Sequence, residues 1–304
     1  MDFDLSEEQR LLQDSVSRLM ADRYGFEARK GFAAKPPGWS RDLWTQYADL
    51  GLLGLAFDEK HGGSGGGAVE TMIVMQALGR GLALEPYFPT VVLGAGLIQA
   101  GGSAAQQDAL LPAVAKGKLL LAFAHTERQS RYALNDVTTT AKRDGAGWVL
   151  NGQKAVVLHG DSADKLLVTA RVGGGQRDRD GIGLFLVDGD AGGVGRRVAV
   201  MNDGHRAAEV TFSNVKLGAE AAVGEAGAAL PLIEAVVDRA IAALAAEAVG
   251  CMATILDTTV DYLKTRTQFG TTIGKFQVLQ HRAVDMMASM EAARSMTMYA
   301  TMMI

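Results

Sequence analysis

The sequence has a single cysteine, Cys251, which excludes an internal disulfide and any cysteine-cluster metal site. Its five histidines, His61, His125, His159, His205 and His281, never fall at metal-ligand spacing, so no metal site is expected. There is no basic excess: 30 Lys and Arg face 34 Asp and Glu, for a net charge of −4. A protein held to nucleic acid through phosphate contacts needs the opposite balance. Prolines number 6 against 37 glycines, so turns outnumber rigid kinks. Aromatic residues make up 6%, too few for large stacking platforms. No basic-then-apolar leader opens the chain, which starts Met1-Asp2-Phe3-Asp4, and the cytoplasm is the expected location. The nucleophile elbow G-x-S-x-G is missing. The tract His61-Gly62-Gly63-Ser64-Gly65-Gly66-Gly67 lacks the Lys-Ser/Thr ending of a phosphate-binding loop and reads as a mobile turn between helices.

What remains is 304 residues at 48% apolar and 21% charged, enough for two large domains or three small ones. The chain changes character twice. Residues 1–119 read as an N-terminal helical domain. Ser6 with Gln9 three residues on forms a capping box, and Leu12, Val16 and Leu19 mark one apolar face. Further helical stretches run over Asp42–Leu50, Ala68–Leu78, Val91–Leu97 and Gln106–Val114. Residues 120–222 read as a middle β domain of short runs, an antiparallel sandwich or barrel. The runs are Leu120–His125, Thr138–Lys142, Trp148–Leu150, Ala155–Leu158, Lys165–Arg171, Ile182–Val187, Arg197–Met201 and Glu209–Phe212. Asn151-Gly152 is a turn dipeptide, and 173–178 an exposed hairpin loop. Residues 223–304 return to helix over Leu230–Arg266 and Gln277–Thr301. Met286, Met287, Met290 and Met296 fall near one side and read as core. The fold class is α+β, helices before and after a β domain. The apolar, uncapped Met302-Met303-Ile304 suggests a C-terminal bundle that continues past the given sequence.

Glu247 is the only carboxylate in the apolar run Ala240–Leu256. A helix apolar on all sides is a buried one, and this run is short for a membrane span with a charge near its centre. Burial raises a carboxyl pKa from about 4.3, which suits a general base. The alternative is a buried glutamate paired to an arginine or lysine. In the loop that follows, Arg266 offers a forked cation for phosphate, Gln268 and Gln277 amide donors, and Phe269 and Phe276 flat apolar surface. The mixture suits a nucleotide-bearing cofactor; a packed helix–helix corner is the other reading.

These stretches carry a resemblance. Leu5-Ser6-Glu7-Glu8-Gln9, Gly51-Leu52-Leu53-Gly54-Leu55, Ala124-His125-Thr126-Glu127, Asn151-Gly152-Gln153-Lys154 and Arg266-x-Gln268-Phe269-Gly270 with Phe276-Gln277 together resemble the acyl-CoA dehydrogenases over essentially the whole chain. The resemblance implies an FAD-dependent oxidoreductase that removes the α-proton of an acyl-CoA thioester with a glutamate and passes the β-hydride to flavin. It implies that His125 and Thr126 lie at the isoalloxazine, and that Arg266, Gln268, Phe269, Phe276 and Gln277 reach the FAD of a neighbouring subunit. It places Asp238 and Arg239 at the substrate. It further implies a homodimer, homotetramer or heterotetramer, and electron-transferring flavoprotein as acceptor.

Two departures accompany it. Arg128-Gln129-Ser130-Arg131-Tyr132-Ala133 replaces the family's Pro-Gly-x-Gly-Ser-Asp turn, and Val156-Val157-Leu158 replaces its Trp-x-Thr. The family's helix-borne glutamate aligns with Ala240, and Glu247 stands about two turns further along the same face. This is similar to the bacterial branch acting on bulky or steroid side-chain acyl groups, with Glu247 as base. The alternatives are a non-catalytic partner subunit of a heteromeric dehydrogenase and a flavin monooxygenase or nitroalkane-type oxidase.

Overall fold

A computed structural model of the protein describes residues 4–304; the Met1-Asp2-Phe3 opening lies outside the described residues. Among them the helices are α1 (Glu7–Arg23), α2 (Phe26–Ala33), α3 (Arg41–Asp49), α4 (Ala68–Gly81), α5 (Gly96–Gly101), α6 (Ala104–Ala115), α7 (Leu230–Thr265) and α8 (Gln277–Met302). The strands are β1 (Leu121–Ala124), β2 (Thr140–Asp144), β3 (Gly147–Leu158), β4 (Lys165–Arg171), β5 (Ile182–Asp188), β6 (Val194–Val200), β7 (Arg206–Leu217), β8 (Thr267–Gln268) and β9 (Thr271–Thr272). They form two compact units. One is helical and takes the chain up to Lys30, Gly66–Ala83 and Ile241–Ile304; the other takes Gly31–Gly65 and Leu84–Ala240 and holds the large sheet.

In the helical unit α1 begins as its sequence dictates. Ser6 Oγ accepts the Gln9 N–H at 3.2 Å and Gln9 Oε1 accepts the Ser6 N–H at 2.9 Å, a reciprocal cap of about 1 kcal/mol. The Gln9 amide also donates to Glu70 at 2.7 Å, and Glu70 caps Gly67, so the starts of α1 and α4 are tied. Val16 and Met20 turn inward, with Leu12 and Leu19 half-buried beside them. On α8 only part of the methionine set is core: Met290 is buried, Met286 half-buried, and Met287 and Met296 are exposed. Helical spacing puts these four on neighbouring positions, but only one of them is fully buried.

In the other unit a single seven-stranded sheet runs in the order β1-β4-β2-β3-β7-β6, with β5 on the free side of β4. The strands expected from the sequence are there, and the sheet is mixed rather than purely antiparallel: β1 runs parallel to β4. A parallel pair needs both faces covered, and β4 reads accordingly, with every residue from Leu166 to Arg171 buried. Trp148 packs edge-on against Phe185 at 5.1 Å in the core beneath. Asn151-Gly152 is not a turn. The β2–β3 reversal falls at Gly145, and Asn151-Gly152 sits inside β3 at a register shift against β7. A Cβ on Gly152 would lie 2.6 Å from the Thr139 hydroxyl, which is why glycine stands there. The 173–178 loop does join β4 to β5 as expected, and the Arg171 guanidinium ties it down by donating to the carbonyls of Gln176, Asp178 and Asp180.

The 61–67 tract is better packed than a mobile turn. His61 is buried and bonds Asp108 at 3.0 Å, and a Cβ on Gly63 would lie 2.0 Å from the Phe57 carbonyl. The stretch Phe88–Ala95 winds as a π-helix. Thr90 ties it to β1, donating to the Leu121 carbonyl at 3.0 Å. Among the described residues, α7 alone is long and apolar enough to cross a bilayer. Its Val236, Ala240, Ala243, Ala246, Val249 and Ala253 are buried against protein.

Candidate active site

Within the helical unit, α4 and α7 cross at backbone contact. A Cβ on Gly79 would lie 2.1 Å from the Glu247 carbonyl oxygen, and one on Gly250 would lie 2.1 Å from that of Gln76. Glycine at both positions is what permits the approach. The last carbonyls of a helix lack intrahelical donors. At the end of α4 the Leu82 N–H and the Cys251 thiol of α7 both donate to the Gly79 carbonyl, at 3.2 and 3.3 Å, and the Thr254 hydroxyl of α7 donates to that of Arg80 at 3.0 Å. Burial, and then the nearby Glu247 charge, pushes the Cys251 thiol pKa up. Glu247 itself is half-buried, and its helix is not apolar-packed on every side as the composition predicts. Ala242, Ala243, Ala246, Val249 and Ala253 form the buried side, whereas Ile241, Leu244 and Ile255 are exposed. Small side chains face α4 because only they allow the close crossing, so the bulky ones point away from it.

Past the end of α7, Arg266 leads into a two-residue hairpin between β8 and β9. Phe269 and Gly270 both have positive φ, 55° and 77°, as a type I′ reversal requires. Phenylalanine is a poor residue for that backbone, and here its side chain is also 90% exposed. It meets Phe276 edge-on at 6.1 Å. Arg266, Gln268 and Gln277 are exposed around it. The structure thus brings the five predicted residues of this loop together as a forked cation, two amides and two flat rings, exposed except for the half-buried Phe276. That donor set fits a phosphate-bearing flavin nucleotide. Asp238 and Arg239, also on α7, are exposed.

In the sheet unit, His125 and Thr126 follow β1. The His125 ring stacks on Phe123 at 4.5 Å, and its Nε2 lies 3.2 Å from the Thr126 hydroxyl. Burial, reinforced by the Lys154 charge, lowers its pKa to about 4. Among the described residues its Nδ1 is buried without a partner, and Thr126 beside it is half-buried. Val156 stands where the resemblance has tryptophan; it is exposed, with φ 50°, in the irregular part of β3. A β-branched residue in left-handed backbone is strained, a frequent mark of functional loops.

Two residues here escaped the sequence reading. Glu127 and Lys154 are both buried and pair at 2.7 Å. Their only sequence signal was their place in the two short motifs already quoted, Thr126-Glu127 and Asn151-Gly152-Gln153-Lys154.

Comparison with known proteins adds three family matches: the N-terminal domain of acyl-CoA dehydrogenases over residues 6–118, the middle domain over 122–215 and the C-terminal domain over 230–304. The acyl-CoA dehydrogenase FadE12 of Mycobacterium tuberculosis is 34% identical over 297 residues, covering 96% of this chain and 76% of that protein. A solved structure of a variant of the Tcur3481-Tcur3483 steroid ACAD is 34% identical with a TM-score of 0.86, over 97% of this chain and 77% of that one. The FAD complex of PigA is 26% identical with a TM-score of 0.91, over 99% and 80%.

Proposed function

The chain belongs to the acyl-CoA dehydrogenase family, and from that premise we propose that it oxidises an acyl-CoA thioester at the α,β-bond with FAD as cofactor and Glu247 as the base. The observation that carries the assignment is the seat of Glu247. It is the one carboxylate between Asp238 and Asp257, half-buried, on a helix whose backbone is locked against α4 at that residue. A base must be held in a fixed place before its pKa matters. Glu247 takes the α-proton of the thioester. Bound FAD would supply the acceptor for the β-hydrogen as hydride.

The residues of the loop after α7 hold the FAD of a neighbouring subunit. The Arg266 fork takes a phosphate oxygen pair, Gln268 and Gln277 donate amide hydrogens, and Phe269 with Phe276 covers a flat ring. Thr126 contacts the isoalloxazine, and Asp238 and Arg239 contact substrate. A bulky acyl group is the expected substrate, in keeping with the steroid ACAD neighbour.

The test is a visible spectrum followed by turnover. The purified protein should show a flavin band that an acyl-CoA thioester bleaches. Glu247→Gln should keep the band and lose about 10²- to 10⁴-fold in turnover, the usual worth of a positioned base. Undiminished turnover in that variant rejects Glu247. A second reading, a partner subunit in a heteromer, draws on Val156 and Leu158 standing where the family has tryptophan and threonine. A protein colourless alone and yellow only with a companion chain would favour it.

A further inference from the structure

Lys154 has no part in the chemistry proposed above, yet it is fully buried, with 0% of its side chain exposed against 2% for its partner Glu127. An ammonium has three N–H donors. Lys154 Nζ uses them on Glu127 Oε1 at 2.7 Å, the Thr169 hydroxyl at 2.9 Å and the backbone carbonyl of His125 at 3.3 Å. Glu127 in turn accepts the backbone N–H of Thr138 at 2.9 Å and of Thr139 at 3.0 Å. It also accepts the Thr138 hydroxyl, and the Gln129 amide at 2.9 Å. A buried ion pair is poor value as pure stabilisation, because desolvating both charges offsets their attraction. Its placement is what distinguishes it. The ladder of β1 with β4 ends at Ala124, so residues 125–127 continue without strand pairing. Lys154 holds that segment on both sides of Thr126, by the carbonyl of the residue before and the carboxylate of the residue after. The next residue, Ala155, donates its N–H to the Thr126 carbonyl at 2.8 Å.

We infer that Lys154 is a positioning residue that, with Glu127, fixes the Thr126 hydroxyl for contact with the cofactor. The inference rests on the reading of Thr126 as a flavin contact, and its test separates the two. In the holoenzyme, Thr126→Val is compared with Lys154→Met/Glu127→Gln. The double variant removes both charges; its amide oxygen replaces one of the two carboxylate oxygens that now accept the Thr138 and Thr139 N–H groups. Thr126→Val should shift the flavin absorption band; an unmoved band rejects the reading of Thr126. The double variant should shift the band in the same direction. It should also lower kcat by roughly tenfold to a hundredfold with little change in KM, the effect of a misplaced group. A purely structural pair would instead lower Tm and leave the bound-flavin spectrum and kcat as they were, and that result overturns the inference. Thr169→Val decides the matter if the double variant does not fold. It deletes one of the three Lys154 acceptors and leaves Thr126 and both charges in place. A smaller shift in the same direction supports the inference, and a wild-type spectrum overturns it.

Discussion

His159 closes β3 in left-handed backbone, with both ring nitrogens buried and unpartnered among the described residues. It packs edge-on to His205 at 5.8 Å. Burial, then the His205 and Arg206 charges, lowers its pKa to about 3. The unfolded chain, with an ordinary histidine pKa near 6.5, therefore binds a proton that the folded chain refuses between about pH 6.5 and 3. Stability from this group is complete above pH 6.5 and is lost as pH falls through that window, by about 1.4 kcal/mol per pH unit. Thermal melts should show His159→Phe losing less stability than wild type between pH 6.5 and 4. Parallel curves for the two proteins would reject this. None of it was legible in the sequence, where His159 is one histidine among five with no ligand spacing. Glu127 and Lys154 were hidden for a related reason. Each lies in a quoted motif, but only the sheet brings positions 127 and 154 together. Glu247, by contrast, was legible as a lone acid among alanines. What the composition could not give was the side on which it emerges, because that depends on Gly79, a residue 168 positions away in the chain.

At the level of elements, capping and period were reliable guides. The Ser6–Gln9 box, the α7 start at Leu230 and the α8 start at Gln277 all fall where the sequence places them. Turn chemistry was less reliable. Asn151-Gly152 carries the signal of a reversal but serves as a break inside a twelve-residue strand. The true type I′ reversal uses Phe269-Gly270, where no turn signal beyond the glycine exists. Phe269→Asn should therefore stabilise the β8–β9 hairpin by about 0.5–1 kcal/mol, since asparagine takes that backbone more readily. It should at the same time weaken flavin retention on gel filtration. A variant that keeps its flavin as wild type does would remove Phe269 from the cofactor site. The π-helical turn at Phe88–Ala95 had no sequence cue, and its apolar run reads as ordinary helix.

Over the whole molecule, helices α1 and α4, from the stretch read as N-terminal, pack in the unit that holds α8 and most of α7. Sequence order does not reveal such partnerships, since each amphipathic face is compatible with many others. Ile255 on α7 and Val278, Val284 and Met287 on α8 are exposed. We expect the 32.0 kDa chain to elute as an assembly in light-scattering chromatography, and Val284→Glu/Met287→Glu to move it toward the single-chain mass. An unchanged mass for that variant would place the contact elsewhere. The α4–α7 crossing also has a practical use. Cys251 is the sole thiol in the sequence, half-buried and one helical turn past Glu247. Held on the Gly79 carbonyl with its pKa pushed up, this thiol should react slowly with maleimide, so its labelling rate would report any loosening of the crossing without prior mutagenesis.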